Sequence, residues 1–374
     1  MKFSESTSIL PIKPYSYPQA EILFPIACNF FFSKLLGIKS VLPLNTIGFH
    51  KNSTDKTTFI SIIRKLGIDS FLWDEAEYIN LIQKFIDIGE LKRLLEIKRS
   101  IILRCGCGRT EIEESNVDYI WGRKRTFEKN ECGLLCKVCR GKLFKEETDS
   151  LFINFSKVAF AEKQRILPHN FYEPFIAHRK ELAVPTLRIS RLRKENPKIS
   201  ALGREFHIDA DFTWPIFAYS VFSVHGVCVK YVVSTHGTLK QLALFSLVSE
   251  VLDFADVTFL ILPTIHFINE RNDLVLSLAD MMAEYCPEAV RTFLLTGLCW
   301  GRKESKIKSG VLYRTNLVFG KHKGNIGKKN TESLKLNIEE LLHINGNIIQ
   351  SIIAKLNKGI KLECGEERIL KCLF

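Results

Sequence analysis

Five cysteines crowded into one short stretch constrain this chain more than any other feature. In RCGCGRTEIEESNVDYIWGRKRTFEKNECGLLCKVCRGKL a single residue separates Cys105 from Cys107. Cys132 comes after 24 intervening residues, and Cys136 and Cys139 follow with three and two residues between them. Tetrahedral zinc takes four soft ligands gathered by two tight turns, and Cys136-x-x-Cys139 ahead of Arg140-Gly141 has the form of one such turn. Cys105-Gly106-Cys107 supplies the other. It is one residue shorter than the usual spacing, which leaves Cys132 as a substitute for one of that pair. Four thiolates leave no open position for water, so a zinc ion held this way is structural. The alternative is a group of ordinary buried thiols.

The 374 residues are enough to bury a large core. The N-terminus, MKFSESTSILPIKPY, lacks the basic and apolar regions of a secretory signal, so the 11 cysteines read as reduced thiols and metal ligands of a cytoplasmic protein. Charged residues make up 25% of the chain and interrupt every apolar run before it reaches spanning length, which argues against a membrane partner. The formal net charge of +12 points instead to a polyanion. The bases gather as Arg123-Lys124-Arg125, as Arg188 to Lys194 with Arg191 and Arg193, as Arg302-Lys303 with Lys306 and Lys308, and as KHKGNIGKK near 321 to 329. Such patches supply the sequence-independent part of RNA affinity, although a basic run is also the ordinary form of a solvated face.

Short apolar runs alternate with longer helical patterns. Ser8 to Ile12 reads as a strand, Ile26 to Leu36 as a helix capped by Gly37, and Val41-Leu42 as a second strand. A helix is expected from about Asp74 to Ile88, a strand at Leu151 to Phe155, and a helix at Lys240 to Leu252 between β-rich segments at 217–233 and 257–262. Asn337 to Leu356 has one amphipathic helical pattern, and Lys303 to Glu332 the composition of a linker. This rhythm predicts an α/β fold with a Rossmann-like parallel sheet covered by helices. The expected organisation is a first half at 1–100, a zinc-ribbon insert at 101–150, a second half at 151–300, and a basic linker with a short helical segment at 301–374.

Several segments, in order, resemble a class I aminoacyl-tRNA synthetase of the methionyl type. They are Pro14-Tyr15 after the opening strand, SKLLGIKSVLPL, KLGIDSFLW, FIDIGELKR, CKVCRGKLFKEETDSLFINFSK, LRISR with FHIDADF, and MAEYCPEAVRTFLL, together covering about residues 8 to 300. The resemblance implies ATP and an amino acid as ligands, tRNA as partner, structural zinc in the cysteine insert, and an amino-acid-activating ligase reaction.

The departures fall on the residues that carry the chemistry. Where the family has a His-Ile-Gly-His signature that contacts ATP phosphates, this chain has Glu21-Ile22-Leu23-Phe24. Where it has Lys-Met-Ser-Lys-Ser, which stabilises the pyrophosphate leaving group, this chain has Phe267-Ile268-Asn269-Glu270-Arg271. A preorganised donor or cation aimed at transition-state charge is worth roughly 2.7 to 4 kcal/mol, so losing several lowers ATP activation by about 10⁴-fold or more. Lys34, Lys39, Arg271 and Arg302 are the bases left to approach a phosphate. The nucleotide or amino-acid pocket candidates implied by the resemblance are Tyr15, Glu21, Phe24, His50, Asp209, His236 and Arg271, with Asp211, Trp214, Phe217 and Tyr219 beside them. Each has an ordinary reading as well: solvated loop histidine, strand-end-capping or ion-paired aspartate, core aromatic. Two functional readings follow: a diverged ligase paralogue, or a catalytically inactive relative acting as an RNA-binding adaptor. A small amino-acid-like ligand fits a third.

Overall fold

A computed structural model describes residues 5–10, 12, 14, 18–46, 55–87, 89–108, 110–114, 127–131, 133–158, 165–183, 186–192, 196–253, 257–268, 278–322 and 336–373. Its centre is a six-stranded parallel sheet. The strands are β1 (Glu5–Ile9), β2 (Lys39–Leu44), β3 (Phe71–Asp74), β4 (Arg165–Leu167), β5 (Val227–Thr235) and β6 (Thr258–Leu262), in the spatial order 3-2-1-5-6-4. The apolar runs of these strands are continuous because both faces are covered. In β6, Leu260 and Leu262 enter one core while Phe259 and Ile261 enter the other, and Tyr231 and Val233 alternate with Val232 in the same way in β5.

One face is covered by α1 (Ala20–Leu36) and α2 (Lys56–Lys65), the other by α3 (Ala210–His225) and α4 (Leu239–Val251). The long helix α1 is apolar on nearly every side because it is enclosed by the sheet, by α5 (Pro287–Leu295) and by the C-terminal helix Cys364–Leu373. Gly37 ends it in the left-handed conformation, at φ 64°, as the sequence predicts. Buried Arg291 on α5 ties this layer together, donating to the carbonyls of Leu66, Gly67 and Leu373.

Between β3 and β4 the chain leaves the sheet as a ribbon about 30 Å long. Leu95–Arg104 pairs antiparallel with Phe144–Ile153 in unbroken register, and the cysteine turns lie at its far end.

Four local expectations are revised. Residues 217–225 are helix, not strand: Asp209 caps α3, and the helix is buried on most sides, so its sequence carries β-like residues without helical periodicity. The helix expected from Asp74 starts at Ile79, after β3 and a 3-10 turn. The linker composition of 303–332 conceals a strand, Glu304–Lys308, paired with Thr264–Ile268, and a helix, Gly310–His322, that buries Leu312, Thr315, Val318 and Phe319 on one face. The amphipathic stretch 337–356 is two helices, Ile338–His343 and Gly346–Asn357, the first with a capping box and the second capped by Asn345. The break lies where the chain presses on Thr296: a Cβ at Gly346 would sit 1.9 Å from the Thr296 carbonyl oxygen. Gly346→Ala is therefore expected to cost at least about 2 kcal/mol in a denaturant titration, and an unchanged midpoint would refute this origin of the break. No helix among the described residues is long and apolar enough to cross a membrane.

Candidate functional site

Two places on this scaffold gather chemically active side chains: the cysteine turns, and a cleft at the C-terminal ends of the central strands. In the first, Cys105, Cys107, Cys136 and Cys139 bring their Sγ atoms within 4.8 Å of one another. The Cys136 turn closes through the Arg140 N–H on the Cys136 carbonyl and the Cys136 N–H on the Gly141 carbonyl, with Arg140 left-handed at φ 57°. A tetrahedron with Zn–S near 2.3 Å has S···S edges of about 3.8 Å. Cys107 and Cys136 are 3.7 Å apart, whereas Cys105 and Cys107 are 2.9 Å apart and would spread to admit an ion. The surroundings suit thiolates. The Thr110 N–H points at Cys105, and the Thr110 hydroxyl and the Val138 N–H point at Cys136. Burial pushes the Cys136 thiol up, but hydrogen bonds from Thr110, Cys139, Val138 and Cys105 outweigh it and bring it to about 6. The donor set fits a structural zinc ion, and every described cysteine is free of disulfide bonding. Cys132 lies outside the described residues.

A chain of ion pairs runs from this insert to the cleft. Glu111, on the short strand that pairs with Leu95–Arg104, is buried and accepts from the Arg188 guanidinium at 2.5 Å and from the Leu192 N–H at 2.9 and 3.0 Å. Arg188 also donates to Ser150, and burial holds its pKa below the usual guanidinium range even beside Glu111. Arg191 pairs with Asp209, and the Asp209 and Glu111 charges hold its pKa high against the effect of burial. Asp209 accepts the Asp211 N–H as the N-cap of α3. Arg191 is thus engaged within the fold.

The cleft, about 310 Å³, opens where the strand order reverses between β1 and β5, the position at which open α/β sheets bind ligands. Leu10, Ile22, Leu242 and Ile265 give it an apolar floor, and its polar lining includes Glu21, Asn45, Asp211, Thr235 and Gln241. Glu21 occupies the first turn of α1 and Asp211 the first turn of α3. Each is followed four residues later by a proline, Pro25 and Pro215, which has no N–H to give to its carbonyl. No Lys, Arg or His appears among the described lining residues.

Of the pocket candidates, Glu21 lines the cleft, as do Asp211 and Trp214. Phe24 does not: it is fully buried in the core under α1. Asp209 is engaged by Arg191 and α3, and His236 lies against Phe171 in the turn after β5. Phe217 is core, and Tyr219 packs edge-on against Phe85. Lys34 is in the last turn of α1, about 20 Å of helix away from Glu21, and Lys39 begins β2 at the end opposite Asn45. Tyr15, His50, Arg271, Arg123, Lys124, Arg125, Arg193 and Lys194 lie outside the described residues. Asn45, Thr235 and Gln241 carry no sequence motif. Their shared signal is position, at or just past the C-terminal ends of β2 and β5.

A similar fold occurs in solved structures. Mycobacterium tuberculosis methionyl-tRNA synthetase bound by methionyl-adenylate matches with a TM-score of 0.64 and 9% identity, over 98% of this chain and 82% of that one. The fold is synthetase-like. A second complex of that enzyme with methionyl-adenylate gives a TM-score of 0.60 at 9% identity, over 99% and 82% of the two chains. Its free form gives 0.51 at 9% identity, over 99% and 78%. No protein-family model and no curated protein sequence matches the chain. At this identity the likeness concerns the scaffold, and the side chains of the cleft must be read for themselves. For the four-cysteine site, Cys136→Ser is expected to abolish stoichiometric zinc in metal analysis of the purified protein, and unchanged zinc content would remove Cys136 from the ligand set.

Proposed function

We propose that this chain is a synthetase-like protein that has given up ATP-dependent amino-acid activation and acts as a binder of tRNA or another RNA in the cytoplasm, with zinc as a structural cofactor. The observation that carries the reading is the charge of the cleft. A helix N-terminus at the end of a parallel strand is a natural phosphate site. Here Glu21 occupies the first turn of α1, Asp211 lines the same cleft from the first turn of α3, and no cation stands among the described lining residues. Two unit charges 5 Å apart at an effective dielectric of about 20 interact by roughly 3 kcal/mol, about two orders of magnitude in affinity. A triphosphate would meet that repulsion from two sides.

The RNA part of the reading is supported by a face remote in kind from the cleft. Arg302, Lys303, Lys306 and Lys308 are all exposed around the strand Glu304–Lys308, with Ile307 turned inward. None of the four makes an ion pair among the described residues, in contrast to Arg188 and Arg191.

The coverage of the methionyl-adenylate-bound neighbour supports a competing reading, a diverged ligase that still activates an amino acid with ATP. Amino-acid-dependent ATP–pyrophosphate exchange separates the two: none is expected with any of the standard amino acids, and exchange above background would install the ligase. In a mobility-shift titration with total tRNA, Lys306→Glu with Lys308→Glu is expected to weaken binding. The log–log salt slope should fall by roughly 0.7 to 0.9 for each phosphate that the variant no longer neutralises. Unchanged binding by that variant would move the RNA surface elsewhere.

A further inference from the structure

Resting on the reading that ATP chemistry has been lost, we infer that the cleft between β1 and β5 is a receptor for an organic amine with an apolar body, a neutral oxygen acceptor and no acid group. Its volume of about 310 Å³ lies at the lower end of the range for small-molecule sites. The character of the lining is set by acceptors. Glu21 has no ion pair among the described residues, and Asp211 adds a second carboxylate, whose charge also acts on Arg191. An ammonium group offers up to three donors and a positive charge to this arrangement. A carboxylate or phosphate offers neither.

Two further atoms point to a ligand independently of the carboxylates. Asn45 and Trp214 are each 6% exposed and line the cleft, and Asn45 Oδ1 and Trp214 Nε1 are buried with no hydrogen-bond partner among the described residues. Buried polar atoms normally find partners, and an orphan costs free energy. Asn45 Oδ1 accepts from an amine or hydroxyl, and the Trp214 indole N–H donates to a neutral oxygen. Leu10, Ile22, Leu242 and Ile265 then take the apolar body. An amino acid brings the same amine and body with a carboxylate that no cation of the described lining receives.

Leucinol and phenylalaninol, set against leucine and phenylalanine, isolate that difference, because each pair differs only in alcohol against acid. Calorimetric titration of the zinc-loaded full chain is expected to show saturable binding of at least one alcohol, at least tenfold tighter than its acid. Glu21→Gln is expected to weaken the alcohol by tenfold or more. Trp214→Phe keeps a ring on the floor but removes the donor, and is expected to weaken leucinol more than the corresponding amine without a hydroxyl, isopentylamine. Amino acids binding as well as their alcohols would overturn the inference. So would the absence of binding by all four probes to protein shown to be folded by circular dichroism, or an alcohol affinity indifferent to Glu21→Gln. The parent reading fails separately: pyrophosphate exchange would refute it whatever the amines do, and amine binding cannot rescue it.

Discussion

The buried carboxylate of Glu111 is the constraint through which insert, sheet and cleft hold their relative positions. It lies on the cysteine-bearing insert, yet its partners are Arg188 and the Leu192 N–H, in the segment that re-enters the main fold. From there Arg191 grips Asp209, and Asp209 caps the helix that carries Asp211 and Trp214 into the cleft. Removing one member of a buried pair leaves an uncompensated charge, typically at a cost of roughly 3–5 kcal/mol. The cysteine turns lie beyond the ribbon that bears this contact. Glu111 itself pairs with Arg104, next to the Cys105 turn, so a metal ion there would brace the same end of the ribbon that these ion pairs tie to the main fold.

That dependence belongs to the scaffold and is separate from the proposed change of chemistry in the cleft. The parallel strands, the switch point and the helix N-termini aimed at it are backbone features, maintained by alternating apolar residues on both faces of the sheet. The occupant of the cleft is chosen by a few side chains at strand ends and first helical turns. There the chain places the carboxylates of Glu21 and Asp211, on backbone geometry that elsewhere favours phosphate.

The parts of this arrangement that were legible in the sequence are those coded locally. Gly37 announced the end of α1 because only glycine enters the left-handed cap without strain, and the helix expected at 240–252 lies at 239–251. The helix at 210–225 was obscured because burial on most sides removes the polar stripe that periodicity needs. The helix at 310–322 was obscured for the opposite reason, because it buries only one face and lies in a stretch whose composition is rich in Lys, Gly and Asn. Glu21 was found by comparing signatures, whereas Asn45, Thr235 and Gln241 come from separate elements that meet only when the sheet closes. The fate of Arg191 was hidden similarly: a basic run in sequence does not reveal which of its members a buried aspartate has already engaged.

The central claim is that a synthetase-like cleft has exchanged phosphate recognition for acceptor groups. Equilibrium binding of magnesium-ATP to the full, zinc-loaded chain tests it most directly, because binding precedes any question of catalysis. No saturable uptake is expected at concentrations up to millimolar, and none gained on adding any amino acid. Saturable binding in the micromolar range that is competed by pyrophosphate would contradict it.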